Sequence, residues 1–234
     1  MFESRPPKKR KERPNRPFLS GKITSIESQA RNPERANVFI DGKFGFGIDW
    51  SLVAEHRLVR DKVVTPELAL VLQKANQLQK AKSVALEYLS HKARTRKEVE
   101  DKLLAKEYPP EIVEQVVQRM LDLGYINDEQ YAKNYTKSRY QSKGYGPRRI
   151  QMELYKRGIR GSQAEEAVRE IFEAQEDPLD SIREKARRKW VRLVSSESDP
   201  RKRQKKMGDF LMRRGFQYDD VRRLVEEFQQ EPIE

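Results

Sequence analysis

Seven apolar positions recur three times along this 234-residue chain, in register and with no gap inside a copy. Val99, Leu103, Tyr108, Val113, Val116, Val117 and Met120 return 51 residues later as Ile150, Leu154, Ile159, Ala164, Ala167, Val168 and Ile171. After a further 57 residues the same positions hold Met207, Leu211, Phe216, Val221, Leu224, Val225 and Phe228. The spacing predicts a helix of about three turns, a tight turn, and a second helix with its apolar face at i, i+3, i+4 and i+7. A unit this small cannot bury its own face, so tandem copies must stack. Such arrays present an extended surface rather than a pocket, which suits a binding protein for a long partner better than an enzyme.

Polar punctuation places the other elements. Thr95 with Glu98 and Ser162 with Glu165 read as capping boxes, Asn127-Asp128 as a helix start, and Pro147 and Pro109-Pro110 as first-turn prolines. Gly124, Gly158 and Gly215 fall at helix ends, where a left-handed residue is wanted. A further helix precedes each copy, at about 81–91, 128–142 and 178–193, giving three three-helix units in tandem. Upstream the pattern changes to β-like runs, read as strands at about 20–29, 36–41 and 43–48. Asp41-Gly42 is a hairpin signal, because a type I′ turn needs positive φ at both central residues. Gly45 and Gly47 alternate with aromatics and open no phosphate-binding loop. Asp49 caps a short helix carrying Trp50, Leu52 and Val53. Thr65-Pro66-Glu67 starts a helical pattern running toward Leu89, as one long helix or two in series. The expected fold is mainly α: an elongated set of tandem three-helix repeats with a small N-terminal subdomain containing a β-hairpin. Its parts are a disordered basic tail (1–17), a β-rich subdomain (18–64), a linking helix (65–80) and repeats at 81–126, 127–176 and 177–234.

Composition narrows the function. Hydrophobic residues make up 36% and charged ones 37%, which fits several small cores better than one large one. The net charge of +12 favours a polyanionic partner. The tail sets seven basic residues against two acidic ones and reads either as a basic arm for phosphates or as a solvated tail. Without cysteines there are no disulfides and no cysteine-based zinc site. No apolar run approaches the ~20 residues of a membrane span, and no hydrophobic segment follows the basic N-terminus, so the expectation is a cytoplasmic protein without membrane contact. His56 and His91 have no metal-ligand spacing, and His91 ends a helix, where a cation suits the dipole. No nucleophile motif, Walker A loop or paired-carboxylate arrangement stands out. The reading is non-enzymatic, with no cofactor or metal.

Several runs carry a family resemblance. They are Ala85-Leu86-Glu87-Tyr88-Leu89-Ser90, Arg94 to Val99, Leu123 to Ala132, Gly146-Pro147-Arg148-Arg149-Ile150, and Leu154 to Ile159. Across residues 83–172 the chain resembles the RecX family, regulators of the bacterial recombinase RecA, while the third repeat matches only in its apolar skeleton. Tyr131-Ala132 stands where that family usually has Phe-Ala, Thr95 where it has Ser, and Val99 where it has Leu. The resemblance implies a non-enzymatic protein that binds in the groove of the RecA–single-stranded-DNA filament. Such a protein modulates, and usually inhibits, strand exchange and ATP hydrolysis in homologous recombination and DNA repair.

Charge is segregated by helix. Residues 147–160 hold Arg148, Arg149, Lys156, Arg157 and Arg160 against Glu153 alone, and residues 201–214 hold seven cations against Asp209. The matching helix of the first repeat is balanced, and the third helices of repeats two and three are acidic. Mixed signs would add i,i+4 pairs, whereas segregation generates a field. The candidate DNA-binding residues are therefore Arg139 and Lys143 before Pro147, then Arg148, Arg149, Lys156, Arg157 and Arg160. In repeat three they are Lys202, Arg203, Lys205, Lys206 and Arg213. Tyr140 and Tyr145 either stack on exposed bases or pack on a neighbouring helix, and Trp190 reads as a core anchor of the third unit ahead of a base-stacking platform. The expected partners are the RecA filament and single-stranded DNA, with double-stranded DNA as an extension. An open array without a self-complementary apolar face predicts a monomer. The alternative class is a helix-turn-helix transcription regulator, which would need a symmetric dimer and a base-reading recognition helix.

Overall fold

A computed structural model describes residues 17–230, so the basic tail lies almost entirely outside the described residues. Two compact units divide the chain, residues 1–84 and 85–234.

In the first unit four antiparallel strands stand in the order β3-β2-β1-β4: β1 (Gly21–Gln29), β2 (Asn32–Ile40), β3 (Lys43–Asp49) and β4 (Val63–Val64). Asp41 and Gly42 turn β2 into β3 with φ of 47° and 76°, the doubly positive pair that the Asp-Gly signal requires. The two-residue β4, which the sequence reading lacked, pairs with Gly21-Lys22; two residues are too few to show a period. Ile23, Val38, Ile40, Phe46 and Ile48 alternate onto one buried face, against Leu52 and Val53 of α1 (Trp50–Glu55) and Leu72 of α2 (Pro66–His91). Gly45 is small because a Cβ there would come within 2.7 Å of an Ile40 side-chain carbon. As expected, Asp49 caps α1 by accepting from the Ser51 amide. α2 is one continuous 26-residue helix, which resolves the open choice between one helix and two.

The second unit continues with α3 (Arg96–Leu104), α4 (Pro110–Asp122), α5 (Asp128–Lys143), α6 (Pro147–Lys156), α7 (Ser162–Glu173), α8 (Asp180–Ser196), α9 (Pro200–Arg213) and α10 (Tyr218–Gln230). Every position of the threefold skeleton is buried except Tyr108 and Ile171, which are half-buried. The Thr95–Glu98 capping box is formed and Asn127 caps α5. The Ser162–Glu165 box is not. Gly161 occupies the cap position of α7, Ser162 is already helical, and the Glu165 carboxylate accepts from the Tyr155 hydroxyl at 3.3 Å instead.

The second helices of the three repeats meet end to end. The Thr95 hydroxyl, at the start of α3, donates to the Arg157 carbonyl at the end of α6 at 2.7 Å. At the equivalent positions of the next pair, the Gly146 amide at the start of α6 donates to the Arg214 carbonyl at the end of α9 at 2.8 Å. The Arg148 amide donates to the Gly215 carbonyl at 3.1 Å. The first junction offers a hydroxyl and the second two N–H groups to unsatisfied carbonyls of the other helix, with the dipoles in series. Gly158 and Gly215 close α6 and α9 with φ of 88° and 92°, and their faces are pressed against the neighbour. A Cβ on Gly158 would lie 2.5 Å from Lys97 Cβ, and one on Gly215 would lie 2.4 Å from the Arg149 amide nitrogen.

Gly215→Ala is therefore expected to cost about 2 kcal/mol or more in urea-unfolding experiments, combining backbone strain with a blocked approach. Gly124 has the same handedness but open space around it, so Gly124→Ala should cost only the conformational term, about 1 kcal/mol. Equal losses would show that the junction is not tight.

Candidate nucleic-acid interface

The junction between the second and third repeats forms a cationic furrow. The end of α5, the start of α6 and the end of α9 enclose a cavity of about 490 Å³ lined by Lys143, Tyr145, Arg149, Arg213, Arg214 and neighbours. A second cavity of about 250 Å³ shares Lys185, Phe210 and Arg214 with it and runs on past Arg188, Lys189 and Arg192 of α8. None of the described residues lining either cavity is acidic.

The same cations help to build the junction. Lys185 Nζ donates to the Ser142 carbonyl at 3.0 Å, and the Arg214 guanidinium donates to the Lys143 carbonyl. Arg149 lies 3.8 Å from the Tyr145 ring centroid, donates to its hydroxyl at 3.0 Å and to the Arg213 carbonyl at 3.3 Å. Burial pulls the Arg214 pKa below the ordinary guanidinium value; Tyr145 pushes it upward and the nearby Arg149 charge adds to the depression. The group stays charged at any physiological pH.

Of the sequence-predicted residues, the structure brings Lys143, Arg149 and Arg213 together in the furrow. Lys156 and Arg160 border a separate shallow depression beside Tyr155 and Gly161. Arg148 is exposed, as are Lys202 and Lys205 on α9, while Arg203 is half-buried. Lys206 pairs with Glu197 at 2.7 Å. Arg139 and Arg157 are occupied internally. Their guanidinium carbons lie 4.7 and 4.4 Å from the Tyr135 ring centroid, and Tyr135 donates to Glu153 at 2.5 Å. Burial, then that bond, raises the Tyr135 pKa. Tyr140 packs edge-on against Phe172, and Trp190 stacks on Phe228, so both are core anchors.

Comparison with known proteins follows the same architecture. Family models describing the RecX N-terminal domain and the first, second and third RecX three-helix domains match residues 21–65, 81–120, 127–168 and 175–225. A regulatory protein RecX of Listeria welshimeri serovar 6b is 31% identical over 197 residues, covering 83% of this chain and 71% of the relative. The chain belongs to the RecX family. A RecX of Clostridium acetobutylicum is 30% identical, covering 88% of this chain and 95% of that one. A crystal structure of a regulatory protein RecX superposes with a TM-score of 0.72 at 26% identity, over 89% of this chain and all of that one. RecX from Lactobacillus salivarius gives 0.59 at 30% identity over 67% of this chain and 99% of its own.

In this RecX-family chain, sequence reasoning missed the contribution of α8. Lys185, Arg188, Lys189 and Arg192 stand at i, i+3, i+4 and i+7 and so share one face, while Ile182, Ala186, Trp190 and Leu193 are buried in the core. The helical period of the cations was the available signal; charge counted in second and third helices passed over the first helix of the third repeat. The third-repeat carboxylates are used internally. Asp177 is bonded by Arg183 and lies 2.9 Å from Arg223, and Arg183 also pairs with Glu227. Among the described residues no group of three or more histidines and carboxylates could hold a metal ion, and no helix is long and apolar enough to cross a membrane.

Burial pushes the Asp177 carboxyl up, but the Leu179 amide and the two arginines outweigh it and hold its pKa below the ordinary 3.8. A depressed carboxyl pKa stabilises the fold fully above about pH 5, and that contribution is lost as the pH falls through the ordinary range toward the folded value. Asp177→Asn should therefore lower stability by about 1 kcal/mol at pH 7. The variant should also lose less further stability than the parent between pH 5 and pH 3. Identical pH profiles would remove Asp177 from the acid-sensitive set.

Proposed function

We propose that this protein regulates a RecA-type recombinase in the cytoplasm. It does so without catalysis or a cofactor, as a monomer seated along the groove of the RecA–single-stranded-DNA filament. It touches both protein and DNA, and the usual sense of the effect is inhibition of strand exchange and ATP hydrolysis. The observation that carries the DNA contact is the furrow with no acid in its lining, where cations from four helices converge at the second junction. Membership of a family of regulatory proteins supports the partner. The candidate interface residues divide into two groups by what they touch. Lys143 and Arg213 in the furrow, with Arg148, Lys156, Arg160, Lys202 and Lys205, are exposed and reach phosphates. Arg139, Arg149, Arg157 and Arg203 are half-buried and position them. A stand-alone helix-turn-helix regulator would read base edges with one helix in a major groove, whereas these cations are spread over helix ends at a junction.

Two measurements test the reading. RecA ATPase and strand exchange are followed with and without the protein at stoichiometric amounts; no effect in either overturns the recombinase partner. Replacing the exposed Arg148, Lys156 and Arg160 by Glu together should weaken single-stranded DNA binding while leaving the junction bonds intact. Loss of three phosphate contacts lowers the slope of log affinity against log salt by about 2. An unchanged slope would remove these residues from the interface.

A further inference from the structure

We propose that the furrow at the junction of the second and third repeats seats one unpaired polynucleotide strand, with α8 as the backbone track and Phe210 as the base platform. The inference deepens the DNA contact proposed above and rests on it.

The track is the cationic face of α8. From Lys185 to Arg192 it extends about 10 Å, seven residues at ~1.5 Å each, long enough to follow more than one phosphate of a strand. Arg188 pairs with Glu184 at 3.1 Å, but Lys189 makes no ion pair among the described residues, and the Arg192 guanidinium donates only to its own helix, to the Arg188 carbonyl at 3.1 Å. At the head of the track stands Arg214, partly desolvated, bonded to a carbonyl and paired with no carboxylate among the described residues. Taking a guanidinium out of water without a counter-charge is costly, and an anion in the furrow offsets that cost.

The platform is the element that selects a single strand. Phe210 is half-buried, packed against the third-repeat core on one side, and lines both cavities. Arg214 lies over its ring, 4.9 Å from the centroid, so a base stacks on Phe210 as Arg214 moves off the ring onto the adjacent phosphate. Tyr145 is held more tightly, because Arg149 sits 3.8 Å from its ring centroid and also donates to its hydroxyl at 3.0 Å. An aromatic ring among cations has little to offer a duplex, whose bases are stacked on one another, but it adds stacking to a strand with exposed bases.

The test uses the full chain and fluorescence anisotropy with three labelled probes: oligo(dT), an abasic deoxyribose-phosphate strand of the same length, and a blunt duplex. Phe210→Leu keeps the apolar bulk and removes the π-face. It should weaken oligo(dT) binding about fivefold or more and leave the abasic strand unchanged. Lys189→Gln with Arg192→Gln should weaken both strands alike, with an unchanged thermal midpoint confirming the fold in each case. Phe210→Leu without effect on oligo(dT), or with equal effect on both strands, overturns the platform. Binding unaffected by the α8 pair overturns the track, and a duplex weakened by that pair as much as oligo(dT) overturns the single-strand assignment. If the Arg148/Lys156/Arg160 variant loses binding while these variants keep it, the furrow falls and the broader DNA contact stands. If the parent protein binds none of the probes, both fall.

Discussion

The arrangement of the three repeats depends on helix ends meeting helix ends. A short helix leaves about four amides and four carbonyls without partners, a heavy burden for helices of nine or ten residues such as α3 and α6. Stacking α9 onto α6 and α6 onto α3 lets the C-terminal carbonyls of one helix satisfy N-terminal donors of the next. The contact needs close approach, and this is why glycine stands at 146 and 215, pressed on backbone, and at 158, pressed on the Lys97 side chain. At the outer ends the rule relaxes in a telling way. Glu107, at the position equivalent to Gly158 and Gly215, keeps the left-handed φ of 61° but carries a side chain. At the other end α9 starts one turn earlier than its counterparts, and Asp199 caps it by accepting from Arg201 and Lys202 amides. At these two outer ends a side chain stands where the inner junctions have a neighbouring helix.

This mode of joining also accounts for how so many cations tolerate each other. At the second junction Arg149 and Arg214 each donate to carbonyls exposed by helix termination, and Tyr145 offers its ring face and hydroxyl to Arg149. The carbonyls, the ring and the Glu153 carboxylate, 3.5 Å from Arg149, together lower the cost of crowding like charges. What remains is a furrow whose lining carries no acid, with Glu153 and Glu184 outside it pairing with Arg149 and Arg188, on the seam that sets the relation between two repeats. A polyanion seated there would touch both sides of the seam, so binding and the geometry of the junction are linked.

The repeats are equal in fold and unequal in chemistry. The first carries a balanced second helix and the capping box. The second spends Arg139 and Arg157 on Tyr135 around the single acid of its second helix, Glu153. The third ties its carboxylates to Arg183 and Arg223 and turns the cations of α8 and the end of α9 toward the furrow. Net charge by segment therefore overstates the second repeat and understates the third.

Much of the molecule was determined by sequence alone, because the relevant physics is local. Period-3.6 apolar positions, Thr95 with Glu98, Pro147 inside a helix, Asp41-Gly42 at a turn and the left-handed glycines each act within a few residues. Where a local motif had a competitor in space it failed: Ser162–Glu165 gave way to Gly161 and to Tyr155 from the preceding helix. The tertiary structure decided which cations are held and which are available. Arg149 and Arg148 are neighbours in sequence, yet one lies along Tyr145 and the other is exposed. Only the fold could bring Lys185, Arg149 and Arg214 to one furrow, since they come from three helices. The contacts that join those helices end on backbone carbonyls of distant residues, groups that every residue carries and that leave no mark in the order of side chains.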